Sequence, residues 1–379
     1  MLDTMDFGCR LKAAGFDFFA GVPCSFLNPL INYALNECDY IMAATEADAV
    51  ATAAGAYLAG KKPVVLMQNS GLANAVSSLT SLAYVFRIPI LGFVSWRGEP
   101  GLSDEPQHEL MGPITADMLH LMRIRTEILS EDPAQINEQL NRAQAALAAN
   151  ESFFFIVRKG TFSKISLRAD FQENTAASTH DSRIMNGAMT DTPPTREDAL
   201  RRISHLAGSQ IITLATTGFS GRELYEAGDK ENNLYMVGSM GCVSSLALGM
   251  ARNTARNVFA VDGDGALLMR MGNLAVNAFY APANMLHILL DNRVYDSTGG
   301  QATVASCVRF PEMAAAAGYP LVYVARGLSE MESFILDWNE QKKLAFLYLA
   351  VTPGARKDLG RPKIKPSEVA QRMKGFLHE

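Results

Sequence analysis

Charge is scarce in this 379-residue chain. Only 19% of its residues are Asp, Glu, Lys or Arg, while 48% are hydrophobic; an average soluble domain carries about 25% charged residues. Such a composition excludes disorder as the main state and supplies one or two substantial cores. Neither sign of charge dominates. Lys plus Arg is 34 and Asp plus Glu is 39, for a net charge of -5. That balance leaves no electrostatic footprint for nucleic acid, so an anionic small ligand has to be held by a few local cations. Cysteine is also scarce. Cys9, Cys24, Cys38, Cys242 and Cys307 form an odd set with no C-x-x-C pair and no leader-like segment before them, so a reducing cytoplasm is expected rather than a disulfide scaffold. The six histidines form no H-x-x-x-H or H-E-x-x-H set, which removes the common zinc signatures. No apolar run reaches the ~18 residues of a spanning helix, and a soluble protein with no membrane partner is expected.

What is there is an alternation of short apolar strands with helical text, the pattern of parallel sheets covered by helices. Pro63–Met67, Ile88–Val94 and Phe153–Val157 are strand candidates in the first half. Ile211–Leu214, Leu234–Val237, Val258–Val261, Met285–Leu290 and Ala345–Val351 are candidates in the second. Between them, Lys164 to Arg196 is polar and irregular and ends in Pro193-Pro194, the text of a linker. Two α/β domains follow, residues 1–165 and 196–379, joined by a linker over 166–195. Thr45 followed by Asp48 is a variant capping box, which predicts a helix over Glu46 to Ala59 that stops at Gly60. Glu46 then lies in the first helical turn, where a carboxylate also favours the helix dipole with no further role.

The segment richest in chemistry is Val258 to Gln301. A buried strand ends in Asp262-Gly263-Asp264-Gly265, a helix follows, and a second strand ends in Asp291-Asn292. Both acidic tips therefore fall at carboxyl ends of parallel strands, where open α/β sheets bind ligands. Gly263 and Gly265 let backbone approach a phosphate, and Asp264 and Asn292 offer the hard oxygens that Mg²⁺ prefers. A lone G-D-G is also an ordinary turn. G-D-G, then 26 residues, then Asn is far more specific, and it resembles the diphosphate and Mg²⁺ motif of thiamine diphosphate enzymes.

The resemblance implies two thiamine diphosphate-type domains, each a parallel sheet flanked by helices: a pyrimidine-binding domain first and a diphosphate-binding domain second. It implies Asp264, Asn292 and the carbonyl of Val294 as metal ligands. It places Gly238, Met240 and Gly241 against the aminopyrimidine, with Met240 as an apolar wedge under the cofactor, although a Met in isolation is more often a core filler. Thr217-Gly218 resembles a further cofactor-contacting turn, and Glu46 matches the glutamate that hydrogen-bonds the cofactor's aminopyrimidine. Because that glutamate and the diphosphate site meet across a subunit interface in the family, a homodimer or higher homo-oligomer is implied.

The absence of a central third domain narrows the resemblance to the two-domain phosphonopyruvate and sulfopyruvate decarboxylases, over nearly the whole chain. Gly21-Val22-Pro23-Cys24-Ser25, Gln68-Asn69-Ser70-Gly71-Leu72, Arg97-Gly98-Glu99-Pro100, Asp104-Glu105-Pro106-Gln107-His108, Arg158-Lys159-Gly160-Thr161-Phe162 and Asp296-Ser297-Thr298-Gly299-Gly300-Gln301 carry it. The implied activity is decarboxylation of 3-phosphonopyruvate to phosphonoacetaldehyde and CO₂, in a phosphonate-forming context. Sulfopyruvate decarboxylation, carboligation by the same carbanion and a non-catalytic cofactor-binding subunit are the alternatives. Ser25, Asn69, Ser70, Arg97 and Lys159 are the implied substrate residues, an Arg fork and a Lys point charge suiting an anionic 2-oxo acid. Gln107 and His108 are implied in handling the proton that ends the reaction. Cys242, Arg293 and Tyr295 stand where the family is expected to carry other residues, two of them imidazoles.

Overall fold

The computed structural model describes residues 1–168, 182–187 and 192–378. The chain divides into two compact units, Met1–Asp170 and Phe171–Glu379.

The first unit is built on a six-stranded parallel sheet of β1 (Phe18–Gly21), β2 (Asp39–Met42), β3 (Pro63–Gln68), β4 (Leu91–Ser95), β5 (Arg125–Ile128) and β6 (Phe153–Val157), in the order β2-β1-β3-β4-β6-β5. The central strands are apolar on both faces because helices cover both. β6 reads FFFIV and every residue of it is buried. Phe7, Phe93, Phe153, Phe155 and Phe162 pack in one aromatic core, Phe7 edge-on to Phe93 and Phe93 stacked on Phe155. The helix predicted from Glu46 runs over Glu46–Leu58 and is capped by Thr45, whose side chain accepts from the Asp48 N–H. Gly60, at φ 95°, turns the chain back toward β3.

The second unit holds a seven-stranded parallel sheet of β7 (Arg183–Asn186), β8 (Ile212–Ala215), β9 (Asn233–Tyr235), β10 (Val258–Gly263), β11 (Met285–Asp291), β14 (Leu321–Ala325) and β15 (Ala345–Ala350). Its order is β7-β14-β15-β11-β10-β8-β9. A separate antiparallel hairpin pairs β12 (Val294–Tyr295) with β13 (Gln301–Ala302).

Several expectations need correction. The strand placed at Ile88 begins at Leu91, since Pro89 has no N–H to give a ladder. The strand placed at Leu234–Val237 is Asn233–Tyr235. Outside the linker segment, four strands of the two large sheets have no counterpart among the candidates: β1, β2, β5 and β14. Three of them are only four residues long, and β5, RTEI, is a half-exposed edge strand without an apolar run. Inside the segment read as a linker, Arg183–Asn186 forms β7 and pairs in parallel with β14. Residues 169–181 and 188–191 of that segment lie outside the described residues.

Candidate active site

In the second unit, strands β9, β8, β10 and β11 are neighbours in that order and parallel, so the segments after them open on one edge of the sheet. Those segments carry Gly238 to Gly241, Thr216 to Gly218, Asp264-Gly265 and Asn292. Because β10 and β11 pair Gly263 with Leu290, Asp264 and Asn292 leave the sheet side by side. One cavity is lined by Thr217, Gly218, Met240, Gly263, Asp264, Gly265, Asn292 and Val294. Gly238 and Gly241 are not among its lining residues; they flank Met240 on the turn before the helix Val243–Ala251. Gly241 sits at φ 89°, and a Cβ there would lie 2.5 Å from Arg270 Cγ. Cys242 is fully buried at the helix start.

The floor of the cavity is shaped for close approach. A Cβ added to Gly263 would find nothing nearer than Thr216 Cγ2 at 4.0 Å, so the backbone there is open to a ligand. Gly265 is glycine for the opposite reason, since a Cβ would lie 2.4 Å from the ring of Tyr295. Thr216 Oγ1 is buried and has no partner among the described residues. The helix Phe219–Glu226 begins at Gly218, with Phe219 and Ser220 in the cavity wall, so its first N–H groups face the space.

Asp264 is 2% exposed. Burial raises its pKa and the nearby Asp291 charge adds to this, while a hydrogen bond from Thr303 Oγ1 at 2.5 Å opposes it. Asn292 donates from Nδ2 to Asp296 Oδ2 at 2.7 Å, and its Oδ1 accepts from the Val294 N–H at 3.3 Å. Arg196 is buried beside them. It binds Glu223 through Nε and Nη2 at 2.8 and 2.9 Å, and Asp296 Oδ2 through Nη1 at 2.9 Å.

In the first unit the predicted residues again follow carboxyl ends of adjacent strands. Ser25 lies beyond β1, Asn69 and Ser70 follow β3, Arg97 follows β4 and Lys159 follows β6. Arg97 and Lys159 both lie over the Phe26 ring, 4.8 and 6.0 Å from its centroid. Arg97 is tied to Asp104 by Nε at 2.8 Å and Nη2 at 2.5 Å, which leaves Nη1 toward Ser25 Oγ at 3.3 Å. Its neighbourhood with Asp104 holds that carboxyl far below the usual range. Asn69 is fully buried, donates to the Arg97 carbonyl at 2.7 Å and to Thr115 Oγ1 at 2.9 Å, and leaves Oδ1 without a partner among the described residues. Ser70 receives a hydrogen bond from Gln68 Nε2 at 2.6 Å.

His108 is buried and its Nδ1 has no partner among the described residues, whereas Gln107 is exposed. Gly98, at φ 71°, packs on the His108 carbonyl. Glu46 is 8% exposed and accepts from Asn74 Nδ2 at 3.0 Å.

Two sets of family features match this chain. Residues 229–348 match the thiamine pyrophosphate enzyme C-terminal TPP binding domain, and residues 9–119 match the N-terminal TPP binding domain. Across its full length the chain is 38% identical to a phosphonopyruvate decarboxylase of Streptomyces hygroscopicus, covering 95% of that protein. The chain belongs to the thiamine pyrophosphate enzymes. It is also 29% identical to a sulfopyruvate decarboxylase of Methanosarcina acetivorans, over 97% of this chain and 95% of that one. A benzoylformate decarboxylase of Polynucleobacter necessarius superposes with a TM-score of 0.70 at 11% identity, over 94% of this chain and 100% of the other, which speaks for the fold alone.

For a thiamine pyrophosphate enzyme, the motifs in the sequence mark where the chain meets a ligand but not what supports those motifs. Thr216, Thr303, Asp296, Asn74 and Gly71 touch the predicted residues and Arg196 holds Asp296 in turn, and the sequence reading assigned none of them a role. Asp296 and Gly71 lay inside quoted motifs. Thr303 and Arg196 carried no signal, since their contacts span 39 and 100 residues.

Proposed function

We propose that this chain catalyses the Mg²⁺-dependent decarboxylation of 3-phosphonopyruvate to phosphonoacetaldehyde and CO₂ with thiamine diphosphate. The observation that carries it is full-length similarity to a phosphonopyruvate decarboxylase in a chain that has all three of Glu46, Asp264 and Asn292.

The residues of the second unit fit the cofactor. The unpartnered Thr216 hydroxyl, the open backbone at Gly263 and the helix start at Gly218 are what a diphosphate needs. The buried Asp264 carboxylate accepts from Thr303 and from backbone N–H groups but forms no ion pair among the described residues, so a divalent metal held by Asp264, Asn292 and the Val294 carbonyl would supply the missing charge. When bound, thiamine diphosphate supplies the nucleophilic carbon and the electron sink for loss of CO₂.

The chain does the rest. Glu46, steadied by Asn74, would hold a hydrogen bond to the aminopyrimidine ring. Arg97 and Lys159 would hold the terminal anion, with Ser25, Asn69 and Ser70 beside them. His108 would pass on the proton that takes the place of CO₂, with Gln107 next to it; its orphaned Nδ1 supports that role. We further propose a pyrimidine-binding domain over 1–165, a diphosphate-binding domain over 196–379 and a homodimer as working unit. Exposed Val237, Met269 and Val304, each close in sequence to a cofactor loop, support an apolar contact between copies.

Sulfopyruvate is the second substrate to weigh, favoured by the likeness to the sulfopyruvate decarboxylase. The deciding experiment is CO₂ release with thiamine diphosphate and Mg²⁺ against 3-phosphono-, 3-sulfo- and unsubstituted pyruvate. The highest kcat/KM on phosphonopyruvate is expected. Preference for sulfopyruvate transfers the assignment, and release from none of the three removes it. Product analysis with added aldehyde separates protonation from carboligation.

A further inference from the structure

Two hydrogen bonds reach the proposed metal ligands from opposite ends of one hairpin. Val294 pairs with Ala302 and Tyr295 with Gln301, and the Thr303 N–H closes the hairpin on the Arg293 carbonyl at 2.9 Å. Asp296 follows the first strand and Thr303 follows the second. Thr303 Oγ1 accepts from the Ala305 N–H at 3.3 Å, so its one proton is left for Asp264 Oδ2. That contact fixes one carboxylate oxygen, and the backbone N–H groups of Asp264 and Gly265 also donate to the carboxylate.

At the other end, the Asp296 carboxylate, paired with Arg196, accepts from Asn292 Nδ2, so the amide oxygen is turned the other way, toward the Val294 N–H. Asp296 is itself fixed. Its carboxylate takes Arg196 Nη1 at 2.9 Å and the Gly354 N–H at 3.1 Å, and Arg196 is clamped by Glu223. The pairing of β10 with β11 fixes where the two ligands start, and the hairpin fixes how their side chains point.

We propose that Thr303 and Asp296 are positioning residues for the metal site, holding Asp264 and Asn292 through the hairpin over residues 294–302. This rests on the reading that Asp264 and Asn292 ligate the metal.

The test is Mg²⁺ titration by calorimetry on the full chain at saturating thiamine diphosphate, with melting temperature measured on the cofactor-free protein. No 2-oxo acid is needed, so an error in the substrate does not touch it. Thr303→Val removes the hydroxyl and keeps the shape; Thr303→Ser keeps the hydroxyl. Expected are a roughly ten- to hundred-fold weaker Mg²⁺ affinity for Thr303→Val, near wild-type affinity for Thr303→Ser, and cofactor-free melting close to wild type for both. Asp296→Asn, whose amide no longer selects one side of Asn292, should also weaken Mg²⁺.

Unchanged affinity in Thr303→Val, or equal loss in Val and Ser, overturns the proposal. If Thr303→Val does not fold, Asp296→Asn decides by the same readout, weakened affinity supporting and unchanged affinity overturning. Asp264→Ala is the control. If it leaves Mg²⁺ affinity unchanged, the ligand reading itself fails and the proposal with it; if it abolishes binding while the others change nothing, only the positioning roles fail.

Discussion

Gly71 is glycine because Glu46 occupies the space its side chain would need. A Cβ at position 71 would lie 2.0 Å from Glu46 Oε1 and 2.3 Å from its Cδ. The two helices Glu46–Leu58 and Asn69–Ser78 pack closely there, and Asn74 on the second holds the carboxylate of the first. Gly71→Ala should therefore displace Glu46. Overpacking of this kind costs about 1 to 3 kcal/mol, and turnover should fall with it. Melting temperature and kcat measured together check both halves.

Glu46→Gln should keep the fold, because an amide has the same shape and Asn74 can still donate to its oxygen. It should lose most turnover, since an amide cannot share a proton with the aminopyrimidine as a carboxyl does. Exchange of the cofactor's C2 proton, followed by NMR, should slow in step. A wild-type exchange rate in this variant would take Glu46 out of its role.

Replacing Asp264 by Ala should act on binding rather than on the chemical step. The effect expected is weaker affinity for Mg²⁺ and thiamine diphosphate together, with activity partly restored by excess of both. Activity titrated against each component reads this directly.

Selectivity should depend on the cations over Phe26. Lys159→Ala should raise KM for phosphonopyruvate by roughly ten- to a hundred-fold, the range of one charge-assisted contact, and leave KM for pyruvate nearly unchanged. Arg97 is anchored by Asp104, so Asp104→Ala should reproduce part of the Arg97→Ala effect on the same two substrates. Equal losses on both substrates would assign these groups to the shared carboxylate end instead.

The Arg97–Asp104 pair also gives a pH signature. The Arg97 guanidinium, helped by the N–H groups of Gly98 and Glu105, depresses the Asp104 pKa. A depressed carboxylate stabilises the folded state above its unfolded pKa of about 3.9, and that contribution is lost as pH falls through the folded value. Asp104→Asn should therefore melt below wild type at neutral pH, and the gap should narrow steadily as pH drops beneath about 4. Thermal melts of both proteins from neutral to acid pH show the trend.

The sequence by itself determined the parts of this protein that depend on local chemistry. Continuous apolar runs such as FFFIV announced buried parallel strands, because only a strand covered on both faces can be apolar at every position. The cap at Thr45 set the start of the Glu46 helix, and the G-D-G spacing placed Asp264 and Asn292 at strand ends. Strands β1 and β5 escaped because four residues, or a half-exposed edge, carry too little pattern to stand apart from turns. β7 escaped because its pairing with β14 is made across more than 130 residues and nothing in RIMN requires it. Only the tertiary structure decided which strands are neighbours, and so which loops share an edge. It alone made Gly71 the socket of Glu46, gave Arg97 to Asp104, and aimed Thr303 at Asp264 and Asp296 at Asn292. Such contacts are selected by shape and by the need of buried polar groups for partners, and both exist only once the chain has folded.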